Sequence, residues 1–262
     1  MKSAPKVSVI IPTYDRARVL MRAVNSVLGQ NYQPLELIVV NDGSNDETEE
    51  LLTPLAAAGR LILISQTNQG VSAARNAGIR ASSGPLIAFL DSDDEWLPGK
   101  VQTQVDYFAA NPGQVLVQTQ ERWIRNGRRV NPGRKHLKRA GDIFLDSLEL
   151  CLISPSAVML RRALLDEVGL FDESLPAAED YDLWLRVLVR YPAGLIDREF
   201  VIRHGGHEDQ LSAGHSLDRW RVQALEKILT ASLSPKRRAA AEKELARRLA
   251  IYQAGRGKRG LK

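Results

Sequence analysis

Between residues 7 and 90 the chain alternates two periodicities, and that alternation narrows its fold more than any other feature. Val7 to Ile11, Glu36 to Val40, Leu61 to Ser65 and Leu86 to Leu90 are short runs dominated by Val, Ile and Leu, with the length and content of buried strands. Between them, Ala17, Leu20, Ala23, Val24, Val27 and Leu28 recur at helical spacing, and Asn45 to Ala58 and Val71 to Ala81 read as two further helices. Such a β-α rhythm implies a mostly parallel sheet covered by helices on both faces. Ligands on sheets of this kind gather at the carboxyl ends of the strands. Thr13-Tyr14-Asp15, Asn41-Asp42-Gly43 and Asp91-Ser92-Asp93-Asp94 all fall on that rim.

The third of these turns carries the strongest chemistry. An apolar strand delivers three carboxylates to its end, where the core holds nothing to neutralise them; a divalent cation with a bound phosphate would turn their repulsion into attraction. An EF-hand loop is excluded, because Trp96 stands where that loop needs a glycine and Gln102 where it needs a bidentate Glu. The plain alternative is a solvated acidic turn capping a helix that starts near Pro98. Strand one is followed by Pro12-Thr13-Tyr14-Asp15-Arg16 and not by G-x-G-x-x-G, and no P-loop pattern occurs, so neither a dinucleotide site nor a P-loop is supported. Ser44 to Glu47 fits a capping box, and Gly43 suits the tight turn before it. Asp42 is positioned to hydrogen-bond a base or ribose, or else to close an Asx-turn.

At 262 residues the chain suits one large α/β domain with an appendage. Its single cysteine, Cys151, excludes an internal disulfide and reads as a small core side chain. No secretory leader, no apolar run near 18 residues and no N-x-S/T site is found, which predicts a cytoplasmic protein. The net charge of +5 is uneven: residues 217–262 hold 13 Lys and Arg against 4 Asp and Glu, which leaves the body acidic. A second basic stretch runs from Glu121 to Ala140. Both are solvated faces or contacts for anionic lipid or a phosphorylated acceptor; without a regular aromatic interleave, nucleic acid is not expected.

Five segments in order complete the pattern: Val7 to Tyr14, Val39 to Ser44, Gly70 to Gly78, Leu90 to Asp94 and Glu179-Asp180-Tyr181-Asp182-Leu183-Trp184. Together they closely resemble family 2 glycosyltransferases of the GT-A fold, over roughly residues 5 to 216. The resemblance implies a nucleotide-sugar-binding half over 1–95, an acceptor half over 96–216 and a helical basic extension over 217–262. It implies that Pro12, Thr13, Tyr14, Asp15, Arg16, Asp42, Arg75, Asp91 and Ser92 hold the nucleotide, with Arg75 facing the diphosphate or ion-paired to Asp42 or Asp91. It gives the metal, Mn²⁺ or Mg²⁺, to Asp93, with His207 as a further ligand. Arg203 to Ser212 resembles the family's R-x-H-x-x-Q-L-S segment with two residues inserted, which leaves His204 competing with His207.

The same resemblance makes Asp180 the general base, with Glu179 as a second choice; from position alone both could be dipole complements at a helix N-terminus. Trp184, four residues on, is either core or an acceptor platform. The function implied is inverting transfer from a UDP-, GDP- or dTDP-sugar to the hydroxyl of a sugar or lipid-linked acceptor, in polysaccharide or glycolipid biosynthesis. A sugar-nucleotide nucleotidyltransferase and a non-catalytic nucleotide-sugar-binding module are the alternatives. After Leu217 the pattern is helical, with a helix over Ala239 to Ile251, and Gly255 to Gly260 reads as a disordered tail. The appendage is expected to pack on the sheet or to attach the protein peripherally to the inner face of the membrane.

Overall fold

The computed structural model describes residues 4–131, 133–206 and 217–258. The first half follows the expected rhythm: β1 (Val7–Thr13), α1 (Ala17–Leu28), β2 (Leu35–Asn41), α2 (Thr48–Ala57), β3 (Ile62–Ser65), α3 (Val71–Ala81) and β4 (Leu86–Phe89). The short β5 (Glu95–Trp96) and α4 (Lys100–Ala110) follow the acidic turn. Then come β6 (Leu116–Arg125), β7 (Arg128–Val130), α5 (Phe144–Glu149), β8 (Val158–Arg161), α6 (Arg162–Val168), α7 (Glu179–Leu188) and β9 (Gly194–Gly205). Helices α8 (Leu217–Leu229) and α9 (Pro235–Lys258) close the described chain.

Among the described residues nine strands form one sheet, in the order β3-β2-β1-β4-β8-β6-β9-β5, with β7 paired to β6. The β3-β2-β1-β4 half is parallel, Val7 lying opposite both Leu35 and Leu86. At β8 the direction reverses: β8 is antiparallel to β4 and β6, and β6 is parallel to β9. The sheet is thus mostly parallel in its first half and mixed in its second.

Strands β1 and β2 are buried on both faces. Val9, Ile11, Leu37 and Val39 pack with Leu20, Val24, Val101 and Phe108 on one side, while Ile10, Ile38 and Val40 meet Ala74, Ile79 and Phe89 on the other. Each such side chain contributes about 1.5–3 kcal/mol by leaving water, so the rim rests on a rigid platform. The appendage packs on helices and not on the sheet as expected: α8 lies against α7 and α9 against α5, and Ala224, Leu225 and Ile228 of α8 and Ala241 of α9 join the core on the α7 side.

Two boundaries differ from the sequence reading. Ser44 does not cap α2; its Oγ accepts the Asp15 N–H at 3.0 Å, and Asp46 takes the local turn, accepting the Thr48 N–H at 3.1 Å and the Ala17 N–H at 2.9 Å. A hydroxyl drawn to the β1 loop is no longer free to cap its own helix. Helix α9 also continues past Ile251 through Gly255 to Lys258, since extending a helix already nucleated and packed costs less than starting one. Residues 259–262 of the expected tail lie outside the described residues.

Candidate active site

The carboxyl ends of β1, β2 and β4 open into a cavity of about 910 Å³, and α7, β6, β9 and α8 wall its other side. Its strand-end rim carries Pro12, Thr13, Tyr14, Asp15 and Arg16 after β1, Asp42 after β2, and Asp91, Ser92, Asp93 and Asp94 after β4. The facing wall carries Glu179 and Asp180. All the site residues predicted from sequence line this one space except His207, which lies outside the described residues.

Local geometry explains each position. Thr13 is buried and its Oγ1 has no hydrogen-bond partner, an orphaned group facing a ligand-sized space. Asp15 adopts φ 49° and accepts the Asn45 N–H at 2.7 Å, which ties the β1 loop to the β2 turn. Gly43 has φ 78°, and a Cβ there would meet the Asn68 nitrogen at 2.7 Å; only glycine fits. Asp42 makes no local Asx-turn. It accepts the Gln66 side-chain amide at 2.7 Å and the N–H groups of Gln69 and Gly70 at 2.9 and 2.8 Å, pinning the segment that leads into α3. A carboxylate offers about four acceptor sites, so one remains for a ligand.

Arg75, on α3, joins the two walls. Its Nη2 donates to Asp91 at 2.8 Å and its Nη1 to Glu179. Of the two ion pairs expected, the structure has the one to Asp91; the partner that sequence reasoning missed is Glu179. Both Arg75 and Glu179 are buried, and burial pushes the Glu179 carboxyl up against the pull of Arg75.

The acidic turn is held from beneath. Asp94 is buried, accepts the Ser156 hydroxyl at 2.6 Å and the His204 N–H at 3.2 Å, and has its carboxyl raised well above the usual range, chiefly by burial, with Asp91 and Asp93 adding repulsion. Ser156 Oγ also accepts the Asp91 N–H at 3.1 Å, and Arg22 donates to the Asp93 carbonyl at 2.6 Å. Asp91 and Asp93 are therefore presented by a braced turn, while Asp94 is its brace.

The donor set suits a hard cation. Among the described residues no group of three or more His, Cys, Asp and Glu side chains could by itself cage an ion, so the chain offers part of a coordination shell that phosphate oxygens and water would complete, as Mg²⁺ and Mn²⁺ sites at nucleotides commonly are. His204 stands beside the turn with its buried Nε2 lacking a hydrogen-bond partner, 3.6 Å from Glu95; burial pushes its pKa down, keeping the ring neutral and able to ligate.

Asp180 is half-buried at the start of α7. Its Oδ1 accepts the Tyr181 N–H at 2.7 Å, and Cys151 Sγ lies 3.7 Å from Oδ2. Burial, with Asp180 beside it, pushes the Cys151 thiol well up, so it stays protonated and inert. Trp184 is core and no platform: it is 2% exposed and stacks edge-on against Phe171, with ring centroids 6.3 Å apart.

A family model described as Glycosyl transferase family 2 matches residues 8–169. The chain belongs to glycosyltransferase family 2. It is 33% identical over 212 residues to an uncharacterized glycosyltransferase of Rickettsia prowazekii, covering 79% of this chain and 66% of that protein. It is 31% identical over 182 residues to the UDP-Glc:alpha-D-GlcNAc-diphosphoundecaprenol beta-1,3-glucosyltransferase WfgD of Escherichia coli, covering 70% of this chain and 69% of that one. The chain thus spans just under two thirds of the Rickettsia relative. Among solved structures, S. aureus TarS 1-349 in complex with UDP-GlcNAc superposes with a TM-score of 0.74 at 22% identity, over 93% of this chain and 71% of that one. The mannosyltransferase PcManGT from Pyrobaculum calidifontis, in complex with GDP-Man and Mn2+, gives 0.69 at 20% identity, over 97% and 76%. The fold is that of GT-A glycosyltransferases.

The family match ends near α6, and of the cavity residues that sequence reasoning missed, Arg203 and Arg221 lie beyond that limit and four lie within it. Trp123 and Lys138 come from the basic stretch, Cys151 and Ser154 from the α5 side, Arg203 from β9 and Arg221 from α8. The positive run from Glu121 to Ala140 was the available signal for two of them.

Proposed function

We propose that this chain is an inverting, metal-assisted glycosyltransferase that moves a sugar from a nucleoside-diphosphate sugar to an acceptor hydroxyl in polysaccharide or glycolipid biosynthesis. One observation carries the reading: the Asp91-Ser92-Asp93 turn and Asp180 line a single cavity although they come from opposite walls of it. The β1 loop and Asp42 hold the nucleotide, and Arg75 keeps Asp91 in register with the acceptor wall. Mg²⁺ or Mn²⁺ held by Asp93 and phosphate oxygens, with His204 or His207 as a further donor, would neutralise charge on the departing diphosphate. Nucleotide-sugar or nucleotide complexes of TarS and PcManGT, and the diphospho-lipid acceptor in the name of WfgD, support the substrate classes.

Asp180 takes the proton of the acceptor hydroxyl as that oxygen bonds the anomeric carbon. The bond from that carbon to the diphosphate breaks on the opposite side, and its electron pair leaves with the nucleoside diphosphate. One displacement inverts the configuration. Glu179, held by Arg75, positions the start of α7 and is not the base. We place the protein in the cytoplasm, with peripheral contact to an anionic membrane through the exposed lysines of α9.

The test is transfer and donor hydrolysis by purified protein with Mn²⁺ across UDP-, GDP- and dTDP-sugars. Asp180→Asn is expected to lower transfer by about 10²–10⁴-fold, the range for losing a general base, while nucleotide binding survives. Asp93→Ala is expected to weaken metal-dependent nucleotide binding itself. The opposite pattern overturns both assignments.

A further inference from the structure

Around Asp180 the cavity lining also carries three cations. Lys138, 7% exposed, reaches in from the loop after β7, and Arg203 comes from β9 and Arg221 from α8. Only Lys138 is balanced at close range, by Glu121 at 3.4 Å. The Arg203 guanidinium lies 5.5 Å over the Trp123 ring and the Arg221 guanidinium 5.8 Å over Tyr181; neither has a carboxylate within ion-pairing distance among the described residues. Arg221 Nε is buried with no hydrogen-bond partner.

The field of this cluster is felt by its neighbours. After burial, the forces pushing His136 down are Lys135, Arg203, Lys138 and Arg125. Lys138 and Arg221 also act on the Cys151 thiol, which touches Asp180. The cations therefore stand around the position of the base, with Lys138 and Arg221 acting on Cys151 beside it and Arg203 between Asp180 and the acidic turn. The carboxylates that Arg203 faces, Glu121, Asp94, Asp91 and Asp180, hold it in place, but none bonds it directly.

We propose that Arg221, Arg203 and Lys138 form a subsite for a phosphate or diphosphate group carried by the acceptor, set beside the hydroxyl that Asp180 faces. Three buried or half-buried cations from three elements, with an orphaned guanidinium N–H among them, match a multiply charged phosphate ester better than a single carboxylate. An acceptor so held would present its sugar to Asp180 with the phosphate directed toward α8. The appendage thereby contributes to acceptor choice. This inference rests on the transferase reading above for which wall the acceptor occupies.

The test is calorimetric binding to the full chain in EDTA, which removes the donor-side metal, with decyl diphosphate, inorganic pyrophosphate, glucuronate and octyl glucoside as probes. Decyl diphosphate is expected to bind, with glucuronate and octyl glucoside silent. Arg221→Gln is expected to weaken it by about tenfold, the loss of one charge-assisted hydrogen bond. Arg125→Gln, at an exposed position outside the core, is expected to weaken it less and keeps the comparison sound if Arg221→Gln misfolds. Tighter binding of the decyl ester than of pyrophosphate identifies a lipid-carried acceptor; equal binding identifies recognition of the phosphate alone, and either supports the subsite. No binding, equal binding of glucuronate, or binding lost in Asp93→Ala but kept in Arg221→Gln overturns it. Diphosphate binding in a chain that retains no nucleotide sugar would overturn the functional reading and leave the subsite standing.

Discussion

Only 4% of the Arg75 side chain is exposed, and it spans two carboxylates that the chain separates by 16 and 104 residues in opposite senses of the cavity. At that depth neither member can be removed alone without leaving an uncompensated buried charge. Arg75→Met is therefore expected to lower unfolding stability by about 3–5 kcal/mol, the cost of breaking a buried pair, measured by urea denaturation. Adding Glu179→Leu should recover much of that loss, because two apolar groups replace the pair; a double variant as unstable as the single one would show that the ion pair does not hold α7. Sequence reading reached Asp91 as a partner because Arg75 and Asp91 flank one β-α unit. It could not reach Glu179, which meets Arg75 only after the second half of the chain has folded back over the sheet. The same distance hid Ser156, which hydrogen-bonds Asp91 and Asp94, and Arg203, which faces them without bonding them.

Helix α3 lies so close to β1 that Gly78 has no room for a side chain: a Cβ there would stand 2.5 Å from Ile10 Cγ2. That closeness sets the height of Arg75 above the sheet, three residues earlier on the same helix. Gly78→Ala should gain helix propensity, by about 1 kcal/mol, yet is expected to destabilise by about 1–3 kcal/mol through overpacking. A Gly78→Ala/Ile10→Ala double variant should lose less than the two single losses combined, since the second change makes the space the first needs; strict additivity in thermal or urea unfolding would count against the contact. The elements around this contact were legible because β1, β2 and β4 are parallel neighbours whose doubly buried strands read as unbroken apolar runs. β6 and β9 were not. Their pairing joins Gln120 to Glu199 and Glu121 to Val201 with register shifts on either side of Gln120, and their outer segments alternate charged and apolar residues. Bulges of that kind re-aim side chains, and here they bring Glu121 and Arg203 to the cavity without leaving a periodic trace.

Part of the charge asymmetry that stands out in the sequence is spent on ion pairs within the folded molecule. Arg248 is buried and ties α9 to Asp218 of α8 at 2.7 Å, to Glu244 at 2.6 Å and to the Glu149 carbonyl at 2.5 Å, while Arg237 reaches Asp142 at 2.8 Å. These arginines fasten the appendage, so removing residues 236–262 would uncover the Leu225 and Ile228 face and confuse unfolding with loss of lipid contact. No helix among the described residues is long and apolar enough to cross a membrane, which leaves a surface contact as the form to test. Lys236 and Lys243 are exposed and, seven residues apart, lie on one side of α9. Each lysine near an anionic bilayer contributes about 1 kcal/mol, so reversing both charges in Lys236→Glu/Lys243→Glu is expected to cut partitioning onto phosphatidylserine vesicles by at least about tenfold. High salt should produce a similar loss for the unaltered protein, because screening acts on the same term. Equal partitioning of the two proteins at low salt would mean that the basic appendage serves the fold and the acceptor side of the cavity, and no membrane.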